Sequence, residues 1–162
     1  MSEPLAFDTA KFRQVLGHFS TGVTVVTAHA QGTPVGLAVG AFASVSLDPP
    51  LVAFFPNKAS SSWPKIEDAG HFCVNILADT QEEICRRFAS RSEDKFAGLG
   101  WRTVGSGAPL LDGVLAWIDC EIEAVSDAGD HFFVLGRVRD LGMSHEGAPL
   151  LFFRGGYGRF AL

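Results

Sequence analysis

Short runs of hydrophobic residues alternate with polar segments along this chain, and their spacing predicts its first elements. After Asp8, a typical helix-capping residue, hydrophobic residues recur at helical spacing: Phe12, Val15, Leu16 and Phe19. β-Branched residues then dominate 22–27, and Gln31-Gly32 is a turn sequence that leads into a second apolar run over 34–39. We therefore predict an amphipathic helix that ends near Gly17, followed by a β-hairpin.

Several further apolar runs have the length and composition of strands. They cover the segment before Asp48-Pro49-Pro50 and residues 51–55, 72–77, 115–125, 131–143 and 150–153. Residues 126–130 include a glycine and are predicted to connect the two long strands as a hairpin. Many short strands with few helices favour an antiparallel barrel over a doubly wound parallel sheet.

Two helices and two irregular segments complete the prediction. One helix begins near Pro64, and the next begins at the capping-box pattern of residues 80–83 and ends near Ser90. The polar, glycine-rich segment 91–113 is predicted to be a surface loop with one helical turn at 92–96. Residues 154–158 are predicted to form a flexible tail.

Composition narrows the class of protein. The chain has 162 residues, of which 47% are hydrophobic, so we expect a single domain over 1–162 with a sizeable core. Adjacent phenylalanines at 54–55, 132–133 and 152–153 put one ring on each side of a strand. The barrel covers one side, and a dimer partner or helices would cover the other, so we expect a homodimer.

Charge and targeting patterns argue against several partners. The net charge is −5 and no basic run occurs, which argues against a nucleic-acid partner. The first residues lack a signal-peptide pattern and no stretch approaches the ~18 apolar residues of a membrane span, so we expect no membrane association and a cytoplasmic location. Three cysteines without metal-ligand spacing are expected to be reduced and buried.

The serine cluster at 60–62 is the first candidate for chemistry. It follows a buried-strand run and opens a helix, where free N–H groups and hydroxyls suit an anion such as a cofactor phosphate. Helix capping by Ser61 or Ser62 is the structural alternative. The glycine-rich segments 98–100, 105–107 and 155–158 do not fit the dinucleotide-binding pattern, so no Rossmann domain is predicted.

Five segments in order resemble the flavin reductase family, the reductase components of two-component flavin monooxygenases. They are 42–63, 72–77, Asp94-Lys95-Phe96-Ala97-Gly98, Gly129-Asp130-His131 and 149–156. The resemblance implies the fold of that family, a mainly β, six-stranded antiparallel Greek-key split barrel (the FMN-binding split barrel) with a few short flanking helices. It also implies a dimer with flavin sites near the subunit interface.

The resemblance also implies a set of flavin-binding residues. A flavin-lining strand is expected over Gly36, Leu37, Ala38, Val39, Gly40 and Ala41, with Ser44 beyond it. The phosphate side is expected at Asn57, Ala59, Ser60 and Ser61, with Arg87 and Phe88 from the second helix. A C-terminal segment is expected to fold over the pocket: Phe153, Arg154, Gly155, Gly156 and Tyr157. Relatives carry hydroxyls at the positions of Ala38 and Gly40, so contacts there must come from the main chain.

Each of these segments also has a purely structural interpretation. Residues 36–42 fit a core strand with a bulge at Gly40, Arg87 fits a solvent-facing arginine beside a core Phe88, and 153–157 fits a frayed terminus. His131 by itself would be an exposed or structural histidine. The resemblance implies that His131 contacts the nicotinamide of NADH, where alignment for hydride transfer matters more than proton donation.

The resulting expectation is a reductase that transfers hydride from NADH, or NADPH, to FMN or FAD and supplies reduced flavin to a separate flavin-dependent monooxygenase. No arginine cluster suited to a 2′-phosphate is visible in the sequence, which favours NADH. A non-catalytic FMN-binding or flavin-carrier protein on the same barrel is the alternative, since fold does not determine function. An oxidase with tightly retained FMN is a third reading.

Overall fold

The computed structural model describes residue 3 and residues 8–161. The first helix, α1, spans Thr9–Leu16, and the carboxylate of Asp8 accepts a hydrogen bond from the N–H of Lys11 at 2.6 Å. The predicted helix, its cap and its end at Gly17 are confirmed. None of its residues is buried, so the predicted apolar face lies on the surface of the single chain.

Strands make up most of the remaining chain. In order, the elements after α1 are β1 Thr21–Gly22, β2 Thr24–Ala30, β3 Thr33–Val39, β4 Phe42–Ser46, β5 Leu51–Phe54, α2 Trp63–Ala69, β6 His71–Ile76, a 3₁₀ turn Asp79–Gln81, α3 Glu82–Ala89, β7 Trp101–Thr103, β8 Pro109–Leu111, β9 Ala116–Ala128, β10 His131–Met143, β11 Leu150–Phe153 and β12 Gly156–Arg159.

The strands form one main antiparallel sheet and two small ones. The main sheet has the order β3-β2-β6-β9-β10-β5-β4, and β1-β11-β12 and β7-β8 form the others. The predicted class, a mainly β antiparallel split barrel with few helices, is confirmed. The main sheet has seven strands where six were expected, because β4 pairs with β5 as an additional edge strand.

The long β9–β10 hairpin determines the position of His131. Its strands pair from His131 opposite Ala128 to Met143 opposite Ala116. The connection is therefore only Gly129-Asp130, shorter than the predicted loop, and Gly129 has the positive φ of 66° that such a tight turn favours. As a result, His131 begins β10 directly beside the turn.

Two hydrophobic clusters form the core. In the first, Phe54 packs edge-on against Trp63 and Phe72, with ring centroids 5.8 and 5.0 Å apart. Phe55 points to the other side of β5, where its ring lies 5.3 Å from that of Phe133. This confirms that an adjacent Phe-Phe pair places one ring on each face. The second cluster lies beneath α3 and the β7–β8 hairpin.

Three local predictions are wrong. The capping box predicted at 80–83 for the start of α3 does not involve Thr80. Instead, the side-chain carbonyl of Gln81 accepts from the N–H of Ala78 at 2.9 Å, at the start of the 3₁₀ turn that precedes the helix. Segment 91–113 has a hydrogen-bonded turn over 95–98 instead of a helical turn at 92–96, and it contains β7 and β8, whose buried leucines join the second core cluster. The tail at 154–158 is ordered, because β12 pairs with β11.

The three cysteines lie in the interior of the protein. Cys73, Cys85 and Cys120 are free and buried, as predicted. Burial raises the pKa of Cys120 to about 12 and that of Cys73 further, so neither thiol ionises near neutral pH.

Within the described residues, no helix has the length and apolar character needed to cross a membrane.

Candidate functional site

A cavity of about 780 Å³ lies between the end of β3, the loop that follows β5 and the C-terminal end of α3. Its size falls within the range of small-molecule and cofactor sites. It brings together eleven of the residues predicted for the site: Leu37, Ala38, Val39, Gly40, Ala41, Asn57, Ala59, Ser60, Ser61, Phe88 and His131.

Strand β3 contributes a free backbone edge to this region. Among the strands of residues 8–161 it is the last on its side of the main sheet, with β2 as its only neighbour. The carbonyl of Gly36 points away from β2, since it accepts from the Lys95 ammonium at 3.4 Å. Because backbone groups alternate in direction along an antiparallel strand, the N–H and C=O of Ala38 face the same outer edge. Main-chain contacts at Ala38 are therefore available without a side-chain hydroxyl.

The loop that follows β5 has a compact hydrogen-bonded geometry. The Asn57 side chain accepts from the N–H of Ala59 at 2.8 Å. The hydroxyl of Ser60 accepts from the N–H groups of Ser62 and Trp63, both at 3.2 Å. Ser62 therefore occupies the N-cap position of α2, as one of the two predicted alternatives, but its side chain makes no capping bond, and the hydroxyl of Ser60 supplies the side-chain cap instead. Within the described residues, the N–H and hydroxyl of Ser61 have no partner.

Backbone bonds tie this loop to the turn before β10. Asn57 and His131 form an antiparallel bridge. The Lys58 N–H donates to the carbonyl of Asp130 and the Phe132 N–H donates to that of Pro56, both at 2.9 Å. An ion pair of 2.9 Å between Lys58 and Asp127 lies on the outside of the same junction. His131 is consequently held beside the donor loop.

The imidazole of His131 is oriented by its neighbour. Its Nδ1 lies 2.7 Å from a carboxylate oxygen of Asp130. A carboxylate only accepts, so Nδ1 carries the proton and donates it to this bond. The hydrogen bond from His131 is the main reason why the pKa of Asp130 is lowered. The ring therefore has a defined tautomer, with Nε2 left for other contacts.

Lys95 links three walls of the cavity. Its ammonium donates to the carbonyls of Gly36 on β3 and Phe88 on α3, at 3.4 and 3.1 Å, and to the hydroxyl of Ser62 at 3.4 Å. Burial, with a smaller contribution from Lys65, lowers the pKa of Lys95. The side chain is thus a cation held at the cavity wall.

The charges around the cavity share one sign. Arg91 and Lys95 line it, and no aspartate or glutamate among the described residues does. Arg91 makes no ion pair within the described part of the chain. In a chain of net charge −5, this local excess of positive charge suits an anionic ligand. Together with the apolar wall of Phe88 and Leu37, it fits a ligand with an aromatic part and a phosphate.

Several predicted residues lie outside the cavity. Gly36 lies behind its wall, where a Cβ atom would come within 2.8 Å of the Phe88 ring, so its small size lets Phe88 pack on β3. Ser44 is exposed on β4, and Arg87 donates to the carbonyl of Ala97. The C-terminal residues are on β11, β12 and the turn between them: Phe153, Arg154, Gly155, Gly156 and Tyr157. A role for these residues in cofactor binding stays a prediction.

Tyr157 has a packing role within the single chain. Its hydroxyl lies 3.3 Å from the sulfur of Cys85, and the guanidinium of Arg86 lies 4.7 Å from its ring centroid. Burial and the contact with Cys85 raise the pKa of Tyr157 to about 12. These contacts fix β12 against α3.

Sequence reasoning did not include six of the lining residues in the site: Phe55, Pro56, Ser62, Ala89, Ser90 and Arg91. Lys95 lies in the segment 94–98 that carries the family resemblance, and that resemblance was the available signal. Ser90 and Arg91 follow the end of α3, and only the position of Phe88 one turn earlier pointed to them.

A mainly β antiparallel barrel with a cation-lined cavity suits an anionic small molecule, and comparison with known proteins identifies the family. Residues 16–161 match the family described as flavin reductase like domain. The chain is 56% identical over 157 residues to a flavin reductase of Pseudomonas putida, across 96% of this chain and 92% of that protein.

Two further relatives agree. The chain is 53% identical over 152 residues to HsaB, the reductase subunit of a flavin-dependent monooxygenase of Rhodococcus jostii, across 94% of this chain and 78% of that subunit. The structure of the NADH:FAD oxidoreductase SgcE6 of Streptomyces globisporus, in complex with NAD and FAD fragments, matches with a TM-score of 0.90 and 37% identity, across 95% of this chain and 93% of that one. The chain therefore belongs to the flavin reductase family, and the resemblance seen in the sequence is confirmed.

The two adjacent serines should differ in their effect on stability. Ser60→Ala should lower the free energy of unfolding by about 1 kcal/mol, because its hydroxyl caps α2. Ser61→Ala should leave the free energy of unfolding unchanged, because its hydroxyl has no partner in the described chain. Urea denaturation of the two variants measures the difference, and equal losses would contradict the assignment of the cap to Ser60.

Proposed function

We propose that the chain is an NADH-dependent flavin reductase that transfers hydride from NADH to FMN or FAD and supplies reduced flavin to a separate monooxygenase. The observation that carries this proposal is the cavity, which joins a free strand edge, a loop with unpaired donors and an oriented histidine. Membership of the flavin reductase family and the names of the relatives support it. The same names favour a reductase over the alternative of a non-catalytic flavin carrier.

The residues of the cavity fit a flavin. The outer N–H and C=O of Ala38 would hold the polar edge of the ring system, and Phe88 and Leu37 supply an apolar wall. The free N–H and hydroxyl of Ser61 would bind the phosphate, with Arg91 adding positive charge. These donors are already in place, so binding requires little reorganisation of the loop.

A bound flavin supplies the hydride acceptor, which no side chain of the protein can provide. The residues of the protein then have the task of alignment. The Asp130 carboxylate holds the His131 ring in one tautomer, and backbone bonds hold that turn against loop 56–62. His131 would position the nicotinamide beside the flavin site, since hydride transfer needs a near-attack geometry of about 3 to 3.5 Å.

Release of the product is consistent with the chemistry of β3. At Ala38 and Gly40 the strand offers only main-chain groups, so no side-chain hydroxyl at these two positions adds to the binding of the flavin. Reduced flavin that dissociates can serve a separate oxygenase, and the HsaB relative is named as the reductase subunit of a flavin-dependent monooxygenase. The absence of these hydroxyls also argues against the third reading, an oxidase that retains FMN.

His131 gives the direct mutational test of this proposal. The wild-type protein should oxidise NADH only when FMN or FAD is present. His131→Ala should lower kcat/KM for NADH at saturating flavin by tenfold or more, on the order of 1.4 kcal/mol of transition-state stabilisation, and leave the Kd for FMN within a few-fold. Steady-state kinetics and flavin fluorescence titration measure the two effects.

His29→Ala is the matched control, because His29 is exposed on β2 and lies outside the cavity. It should leave both quantities unchanged. A wild-type protein that binds FMN without oxidising NADH would contradict the reductase and favour the carrier. Loss of FMN binding in His131→Ala with normal NADH kinetics at high flavin would contradict the assignment of His131 to the nicotinamide.

We also propose that the protein is a cytoplasmic homodimer of single-domain subunits. Several large apolar side chains are exposed on the single chain, among them Val15, Leu16 and Phe19 of the α1 region and Phe153 of β11. Phe19 is 78% exposed. Apolar residues grouped in this way are typical of a surface that a partner covers. A second copy would also cover the outer face of the strands that carry adjacent phenylalanines.

Light scattering at micromolar concentration tests the dimer. The expected mass is twice the 17.3 kDa of the chain, because an apolar interface of this kind persists at such dilution. A dilution series provides the control, since a weak association would fall apart along it. A single species of 17.3 kDa throughout would contradict the dimer.

A further inference from the structure

Lys58 lies in loop 56–62, which follows β5, and makes three separate contacts with the β9–β10 hairpin. Its N–H donates to the carbonyl of Asp130 at 2.9 Å. Its ammonium forms an ion pair of 2.9 Å with Asp127 and lies 5.2 Å from the centroid of the Phe132 ring. The main chain and the side chain of one residue therefore both hold the end of the hairpin that carries the turn.

The two side-chain contacts of Lys58 fall on one pair of opposed residues in the hairpin. Asp127 and Phe132 are cross-strand partners, and the next pair, Ala128 with His131, lies directly beside the turn. Side chains of directly opposed residues project from the same face of an antiparallel pair, so one ammonium can contact both. The ammonium of Lys58 therefore contacts both strands immediately next to His131.

The ring of Phe132 is contacted from both ends of loop 56–62. Lys58 lies near the start of the loop, and Trp63, which follows its end, packs against the same ring with centroids 6.2 Å apart. Trp63 is buried in the first core cluster, so this second contact is fixed in the interior. The residue next to His131 is thus held in place relative to Ser61, whose free donors lie between the two contacts.

Lys58 holds this junction from outside the cavity. Its neighbours Asn57 and Ala59 line the cavity, whereas Lys58 does not, and its ammonium already has a carboxylate partner in Asp127. An exposed ion pair contributes little to the stability of a fold. Hydride transfer is more sensitive, because a small displacement of a positioning group lowers its rate strongly. The effect of these contacts should therefore appear in catalysis.

We propose that Lys58 is a positioning residue for hydride transfer, which acts through His131 by holding the β9–β10 turn against the loop that would bind the flavin phosphate. The inference rests on the proposed reductase function and adds to it a residue that touches neither flavin nor nicotinamide. Spacing along the chain does not reveal this role, because only the fold brings Asp127 and Phe132 to the ammonium of Lys58.

The test begins with Lys58→Met, which removes the ammonium and keeps an unbranched side chain. It should lower kcat for NADH oxidation at saturating FMN about fivefold, because the end of the hairpin loses two contacts that fix its position. KM for NADH and the Kd for FMN should stay within twofold. Lys58→Arg should restore kcat to within twofold of wild type, since a guanidinium can make both contacts. Steady-state kinetics and flavin fluorescence titration measure these quantities.

Arg139→Met is the matched control, because Arg139 forms an ion pair with Glu121 on the same hairpin, far from its turn. It should retain the wild-type kcat. Asp127→Asn removes the Lys58 ion pair from its other partner and should lower kcat about twofold. The double variant of Lys58→Met and Asp127→Asn should be no slower than Lys58→Met alone, because both changes remove the same ion pair.

Thermal denaturation shows whether each variant is folded at the assay temperature. If folded Lys58→Met retains the wild-type kcat, or if Arg139→Met loses as much, the positioning role is wrong although the reductase stands. If Lys58→Met is unfolded, an unchanged kcat in Asp127→Asn overturns the proposal. A Kd for FMN that rises at least fivefold with an unchanged kcat would mean that Lys58 attracts the flavin phosphate, which also overturns it. A wild type that oxidises NADH with neither FMN nor FAD would contradict the reductase itself.

Discussion

The junction between loop 56–62 and the β9–β10 turn is the constraint on which the site depends. Backbone bonds from Lys58 to Asp130 and from Phe132 to Pro56, with the bridge between Asn57 and His131, hold two segments that are far apart in sequence. Each of these backbone hydrogen bonds contributes about 1 kcal/mol. Without the junction, the unpaired donors of Ser61 and the imidazole of His131 would not share one cavity.

The other walls are fixed by different physical means. The ammonium of Lys95 is partly buried and donates hydrogen bonds to β3, to α3 and to the start of α2. It therefore holds together three elements that meet at the cavity. Gly36 lets Phe88 approach β3 closely, since any Cβ atom there would collide with the ring. The open outer edge of β3 then supplies main-chain groups where side-chain hydroxyls are missing. The cavity is consequently built from backbone geometry more than from specialised side chains.

Local patterns predicted the elements whose hydrophobic spacing is strong, as in α1, the β2–β3 hairpin and the two long strands. They failed where tertiary packing, and not local spacing, determines the secondary structure. The β7–β8 hairpin is short and glycine-rich, and its strands exist because its leucines join the second core cluster. The side-chain cap of α2 fell on Ser60 and not on its neighbours, since three adjacent serines cannot be distinguished without the loop geometry.

The site could be anticipated in part for the same reason. The family motif located β3, the serine loop, the segment of Lys95 and His131, whereas Arg91 follows a helix end without a strong local pattern. The end of α1 meets the β11–β12 turn through the N–H of Arg154, which donates to the carbonyl of Gly17, a long-range contact that no spacing encodes. Contacts between distant segments are thus where sequence reasoning was weakest.

The crystal structure of the protein with FMN tests the central claim most directly. The account predicts that the phosphate lies within hydrogen-bond distance of the N–H of Ser61 and that the outer backbone edge of Ala38 contacts the ring system. An FMN bound elsewhere on the chain, with the cavity beside His131 left empty, would contradict it.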